Sequence, residues 1–172
     1  GLQAAARVRL VEAGAPLRRA QAEALSDLAP EWLDGAGDLP EGAPLLLVAN
    51  EFLDALPLRQ FVRDAGGWRE TVVTVRDGAL ALALSPPAPV AMLDHRLDDT
   101  APGDVVEVHP ALPTVVGEVA RRVAAAGGLA LFVDYGGWRS RGDTLQAVQG
   151  HARADPLEAP GAADLTAHVD FE

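Results

Sequence analysis

Two uninterrupted apolar runs, each stopping on acid, limit what this chain can fold into. Leu45 to Val48 passes through Ala49 into Asn50, Glu51 and Asp54 ("LLLVANEFLDALP"). Leu129 to Val133 ("LALFV") passes directly into Asp134-Tyr135-Gly136. Apolar residues without polar alternation are the pattern of a strand covered on both faces, as in a parallel sheet flanked by helices. Both runs are therefore expected to be wholly buried strands. A third strand, Arg7 to Val11, stops on Glu12, so three strands end in acids.

Around these runs the pattern alternates. Pro16 to Leu28 carries Leu17, Ala20, Ala24, Leu25 and Leu28 at helical spacing, with Pro16 suited to a first helical position. Asp34 to Pro44 is a loop rich in Gly, Asp and Pro. Gln60 to Val62 and Glu70 to Val75, separated by "DAGG", read as a hairpin. Asp77-Gly78 is a strong two-residue turn into a further strand that places Leu80, Leu82 and Leu84 on one face. Val105 to Val108 is a short strand. Pro113 to Ala126 is a helix that Thr114 could cap and Gly127-Gly128 ends. The order strand–helix–strand, hairpin region, helix–strand predicts an α/β fold with an open, mostly parallel sheet and an insertion over 60–84. Such sheets take ligands at the carboxyl ends of their strands, where these acids stand.

The bulk chemistry narrows the partners. A net charge of −11 argues against nucleic acid, which needs clustered Lys and Arg. With no cysteine there is no disulfide, thiolate metal site or cysteine nucleophile. No apolar run reaches the roughly 18 residues of a membrane span, and Gly1 to Ala6 lacks the basic start of a signal peptide. The expected location is the cytoplasm. The four histidines show no metal-ligand spacing, so no metal is expected. His168 and Asp170 alternate on an expected strand, where either a general base or a structural histidine fits. Asp143-Thr144 reads as a helix cap. No serine sits in a G-x-S-x-G elbow, so hydrolysis has no support.

Three acidic positions carry the functional argument. Glu12, at a strand end before a small-residue turn, suits the ribose hydroxyls of a nucleotide and equally suits a solvent-facing loop start. Glu51 and Asp54 are three apart, so a helical turn after the strand would set both carboxylates on one side. Paired carboxylates match the planar fork of a guanidinium; the plainer alternative is a helix start with acids over its free amides. Asp134 is a further site candidate.

The runs "LVEAGAPLRRAQAEAL", "LLLVANEFLDALPLRQF", "GGLALFVDYGG", "GDTLQAVQGH" and "DPLEAPGAADLTAHVDF" occur in this order. From about Val8 to Phe171 the chain resembles the mitochondrial complex I assembly-factor protein arginine methyltransferase family and its bacterial relatives. That resemblance implies a class I, Rossmann-like fold using S-adenosylmethionine, with one partial methyltransferase domain over residues 1–172. It implies methyl transfer to a protein arginine, on a peripheral-arm subunit of respiratory complex I in the mitochondrial members. Their location is the mitochondrial matrix; that of the bacterial ones is the cytoplasm. By resemblance Glu12 would hold the cofactor ribose, Asp38 and Leu39 would lie near the adenine, and Asn50, Glu51 and Asp54 would line the transfer site. The glycine-rich first strand and the C-terminal part of that family are not in this sequence, so the expectation is an internal fragment, inactive alone. Two other readings stay open. One is a non-catalytic assembly module that keeps the fold; the other is an NAD-dependent oxidoreductase, which also fits Glu12 but not the "NEFLDALP" carboxylates.

Overall fold

The computed structural model describes residues 5–172, and these form an α/β protein of two compact units. One unit comprises Gly1–Leu47 with Pro113–Ala130, the other Val48–Leu112 with Leu131–Glu172.

In the first unit, β1 (Arg9–Val11) and β2 (Glu31–Leu33) are parallel and joined through α1 (Ala15–Ala24). Parallel neighbours need a crossover, and a helix is the usual one. Pro16 lies at the start of α1, where its missing N–H costs no intrahelical bond. Arg18 ties the helix to both strand ends: its guanidinium donates to the carbonyls of Glu12 and Leu33 and to the Asp34 carboxylate. Gln21 accepts from the Trp32 indole at 2.9 Å. The helix stops at Ala24, and Ser26–Leu28 continues as a 3-10 turn.

The longer helix, α2 (Leu112–Ala126), begins one residue before expectation, so Thr114 lies inside its first turn and does not cap it. Its buried Arg122 donates to the carbonyls of Leu39 (2.8 Å) and Gly37 (2.7 Å), fixing the 3-10 turn Ala36–Asp38 and the buried Leu39.

The second unit is dominated by an antiparallel sheet. Within it β4 (Arg59–Asp64), β5 (Gly67–Arg76) and β6 (Ala79–Leu84) form a meander, and β7 (Val105–Val108) pairs with the other edge of β4. Asp77 and Gly78 make the turn between β5 and β6, both at positive φ (51° and 81°), as a two-residue primed turn requires. The core of this unit is Phe61, Trp68, Leu93 and Val106, with Val90 and Val108 packed against it.

β3 (Leu45–Asn50) and β8 (Gly128–Val133) pair with each other. The Leu45 N–H reaches the Gly127 carbonyl and the Glu51 N–H the Val133 carbonyl, six residues on in both chains, so the strands run parallel.

Three expectations change. The expected mostly parallel sheet is not one continuous sheet among the described residues, whose strands include parallel pairs (β1–β2, β3–β8) and a separate antiparallel four-stranded sheet. The short turn at Asp77-Gly78 permits only antiparallel neighbours, and β7 joins their sheet through β4. Next, β3 and β8 are not buried on both faces. Leu46 (63% exposed), Val48 (75%), Leu129, Leu131 and Val133 face outward in alternation, because no described element covers that side of a strand pair. Finally, Asp143-Thr144 caps no helix. A loop leads into β10 (Gln146–Gln149), flanked by β11 (Ala152–Arg153) and β12 (Asp164–Thr166). The Gly150-His151 turn (φ 56° and 63°) was the sequence signal for that hairpin.

Deleting a core ring shows how much this packing contributes. Phe61 is 1% exposed, and Phe61→Ala is expected to cost about 3–5 kcal/mol, read as a lower urea midpoint. A change below about 1 kcal/mol would mean that this cluster is not the core.

Candidate functional site

The acids at the ends of β3 and β8 meet in the second unit. After Asn50 the chain does not enter a helical turn. Glu51 adopts a left-handed conformation (φ 48°), rare for a residue with a Cβ. Residues 52–54 then bend around the Asp134 side chain, whose Oδ2 accepts from the amides of Phe52 (3.1 Å), Leu53 (2.9 Å) and, more weakly, Asp54 (3.4 Å). A turn closes from Leu56 N–H to the Leu53 carbonyl, and Pro57 disfavours helical backbone in the residue before it. From the other side the Ala167 N–H donates to the Asp54 carbonyl at 3.0 Å.

The loop therefore separates what the spacing put together. Asn50 and Glu51 are exposed, whereas Asp54 is 3% exposed. Its Oδ1 is fully buried and has no hydrogen-bond partner among the described residues. A buried carboxylate oxygen without a donor is costly, and it marks the place where a donor would be welcome.

Tyr135, which no sequence pattern singles out, and His168, which the sequence allows as a general base, stand beside it, with ring centroids 5.3 Å apart in an edge-to-face pair. Burial pushes the Tyr135 phenol above its ordinary value, and the nearby Asp54 carboxylate adds to this, while Thr166 opposes. The hydroxyl still makes no bond of normal geometry to Asp54 Oδ1. His168 is exposed, and its backbone N–H is held by the Thr144 hydroxyl at 2.8 Å. Thr144 is in turn fixed by buried Glu107, which accepts its amide (3.0 Å), its hydroxyl and the Gln60 side chain (2.9 Å). Asp170, on β13 (Val169–Asp170), accepts instead from the amides of Arg139 and Ser140. His109 is buried with Nε2 unpaired, and burial lowers its pKa against the pull of nearby Glu107, Asp134, Asp54 and Asp170. It is thus held neutral near pH 7.

The first unit carries the other three expected residues. Glu12 directly follows β1, half-buried, with Oε1 accepting the Gly14 N–H at 2.6 Å. A Cβ on Gly14 would stand 3.0 Å from that oxygen, so glycine lets the carboxylate fold back over its own turn. Asp38 is exposed and accepts the Gly35 N–H at 3.1 Å. Leu39 is core rather than surface, at 7% exposure. No group of three or more metal-ligating side chains occurs among the described residues, and no described helix is long and apolar enough to cross a membrane.

Residues 1–172 match a family described as "putative S-adenosyl-L-methionine-dependent methyltransferase". Among relatives, "Protein arginine methyltransferase NDUFAF7, mitochondrial" of Mus musculus is 39% identical over 94% of this chain and 39% of its own length. The protein of the same name from Homo sapiens is 38% identical over 81% of this chain and 32% of its own. A Burkholderia thailandensis crystal structure bound to S-adenosyl-homocysteine superposes with a TM-score of 0.76 at 33% identity, over 96% of this chain and 46% of that one. The chain thus spans less than half the length of each of these relatives.

Tyr135 is the chain's single tyrosine, so its phenolate absorbance can be followed alone. Its midpoint is expected above the ordinary value of about 10, and Asp54→Asn should bring it down. Because the folded state holds this proton more tightly than the unfolded one, stability should fall as pH rises past about 10. A midpoint at or below that value in the folded protein would contradict the placement of the ring against Asp54.

Proposed function

The chain belongs to this family of S-adenosyl-L-methionine-dependent methyltransferases, and from that premise we propose that the full-length protein methylates arginine in a partner protein. The observation that carries the reading is the unpaired, buried Oδ1 of Asp54, one turn of loop away from the exposed carboxylate of Glu51. A guanidinium offers a planar fork of donors and keeps its charge, so it suits a fixed carboxylate that lacks donors. Aromatic rings beside that carboxylate suit the same cation, and Tyr135 and His168 supply them. The names of the relatives point the same way.

S-adenosylmethionine, when bound, supplies an electrophilic methyl on a positively charged sulfur. The residues of this chain do the placing. Glu12 fits the cofactor ribose: one oxygen is steadied by Gly14, which leaves the other for a hydroxyl donor. The exposed Asp38 carboxylate would suit the adenine amine, and the buried Leu39 would anchor the segment that carries it. Free arginine is a poor nucleophile because its guanidinium stays protonated, with a pKa above roughly 12. Asp54 and Glu51 would hold the fork and draw positive charge toward the nitrogens they touch, so that the far nitrogen could take the methyl as the carbon–sulfur bond breaks, with S-adenosylhomocysteine as the leaving group and one nitrogen-bound proton released to water. Asn50 orients the loop. The acidic surface, with a net charge of −11, favours approach of a basic segment. A peripheral-arm subunit of respiratory complex I is the first acceptor to try. The class I, Rossmann-like sheet is the scaffold this reading assumes.

Labelled methyl incorporation into protein arginine is the test. In the full-length protein, Glu51→Gln and Asp54→Asn are each expected to slow transfer about 100-fold with little change in cofactor affinity. Glu12→Gln should do the reverse and weaken cofactor binding about tenfold or more in calorimetric titration. Full transfer rates in both loop variants would end the proposal.

A further inference from the structure

We infer that Asp134 is the positioning residue of the acceptor site: its carboxylate holds the loop Asn50–Asp54 in the conformation that leaves Glu51 exposed and Asp54 buried with an oxygen free for a cation. The inference rests on the reading of those two acids just given. Its own support is separate from that reading.

Asp134 Oδ2 gathers the Phe52 and Leu53 amides at 3.1 and 2.9 Å, with Asp54 N–H at 3.4 Å, while Oδ1 takes the Tyr135 amide at 3.1 Å. Both oxygens are thus committed to backbone donors, and the charge of Asp134 is already answered. It does not compete with Asp54, whose Oδ1 has no donor of normal geometry among the described residues. The loop is held on two further sides. Glu51 N–H is pinned to the Val133 carbonyl at 2.8 Å, immediately before Asp134 in the chain, and the Asp54 carbonyl is pinned by Ala167 N–H at 3.0 Å. Between those pins Glu51 keeps φ at 48°. A non-glycine residue persists there only when its surroundings over-determine it. Of these restraints, the Asp134 carboxylate alone acts through a side chain, so it alone can be altered without touching the backbone.

An amide at this position keeps the shape and removes the charge. One of its two terminal atoms becomes a donor, which would face either the Phe52 and Leu53 amides or that of Tyr135. The loop would then relax toward ordinary backbone angles, and the placement of Glu51 and Asp54 would be lost.

Hydrogen exchange on the unaltered full-length protein comes first. The Phe52 and Leu53 amides should exchange at least about 100-fold more slowly than an unstructured reference. Exchange at the reference rate overturns the inference without any variant having to fold. In Asp134→Asn those two amides should exchange about tenfold faster. The kcat for methyl transfer should fall about 100-fold, while the apparent KM for S-adenosylmethionine stays within about twofold. Full transfer in Asp134→Asn, with transfer lost in Glu51→Gln and Asp54→Asn, would discard the positioning role and keep the site. Full transfer in those two, with faster exchange in Asp134→Asn, would discard the acceptor site and leave Asp134 as no more than the support of a loop.

Discussion

One backbone hydrogen bond closes the pairing on which the site depends, from Glu51 N–H to the Val133 carbonyl at 2.8 Å. It is the last rung between β3 and β8 before both chains leave the ladder. Beyond it stand the two groups with most to lose from misplacement, the Asn50–Asp54 loop and the Asp134 carboxylate. Residues 82 apart in sequence are set within hydrogen-bond reach by this rung. Parallel pairing is what makes that possible, since two neighbouring parallel strands finish at the same end. Had β3 and β8 been antiparallel, Asp134 would lie at the opposite end from Glu51.

Burying charge near such a site calls for partners, and the second unit supplies them in separate groups. Glu107 is satisfied by Thr144 and Gln60, and through Thr144 it fixes the backbone of His168. Arg96, 2% exposed, is taken up by Asp99, Asp170 and the Ser140 carbonyl. In the first unit Arg122 is spent on Glu118 and the carbonyls of Gly37 and Leu39. Four buried polar atoms lack a partner among the described residues: Asp54 Oδ1, His109 Nε2, Arg63 Nε and Trp68 Nε1. The first faces the candidate acceptor site's aromatic pair. The second lies on the segment between β7 and α2, where burial keeps the ring uncharged.

Much of the element order was legible because it is local. The Asp77-Gly78 turn, the apolar run of β3, the strand Val105–Val108 and the helix ending at Gly127 are set by neighbouring residues and appear almost where expected. The positions of Glu12, Glu51, Asp54 and Asp134 at strand ends were legible for the same reason. Pairing was less so. That Val105–Val108 would join β4, or that Gln146–Gln149 would pair with Asp164–Thr166, depends on contacts that no short window contains. Leu46 and Val48 misled in a related way: their apolar character signals burial, yet nothing described covers them.

By itself the sequence determined that strands would end in carboxylates, and that a turn of small residues would follow Glu12. Composition and short-range sterics suffice for both. Only the tertiary structure decided that Glu51 and Asp54 would differ, one exposed and one buried, and that Asp134 would bind the amides between them. The helical spacing of those two acids suggested one shared face. The amides instead turned to a carboxylate from a strand 82 residues away, because a charged acceptor at 2.9 Å outweighs the local preference for a helical turn that Pro57 already weakens.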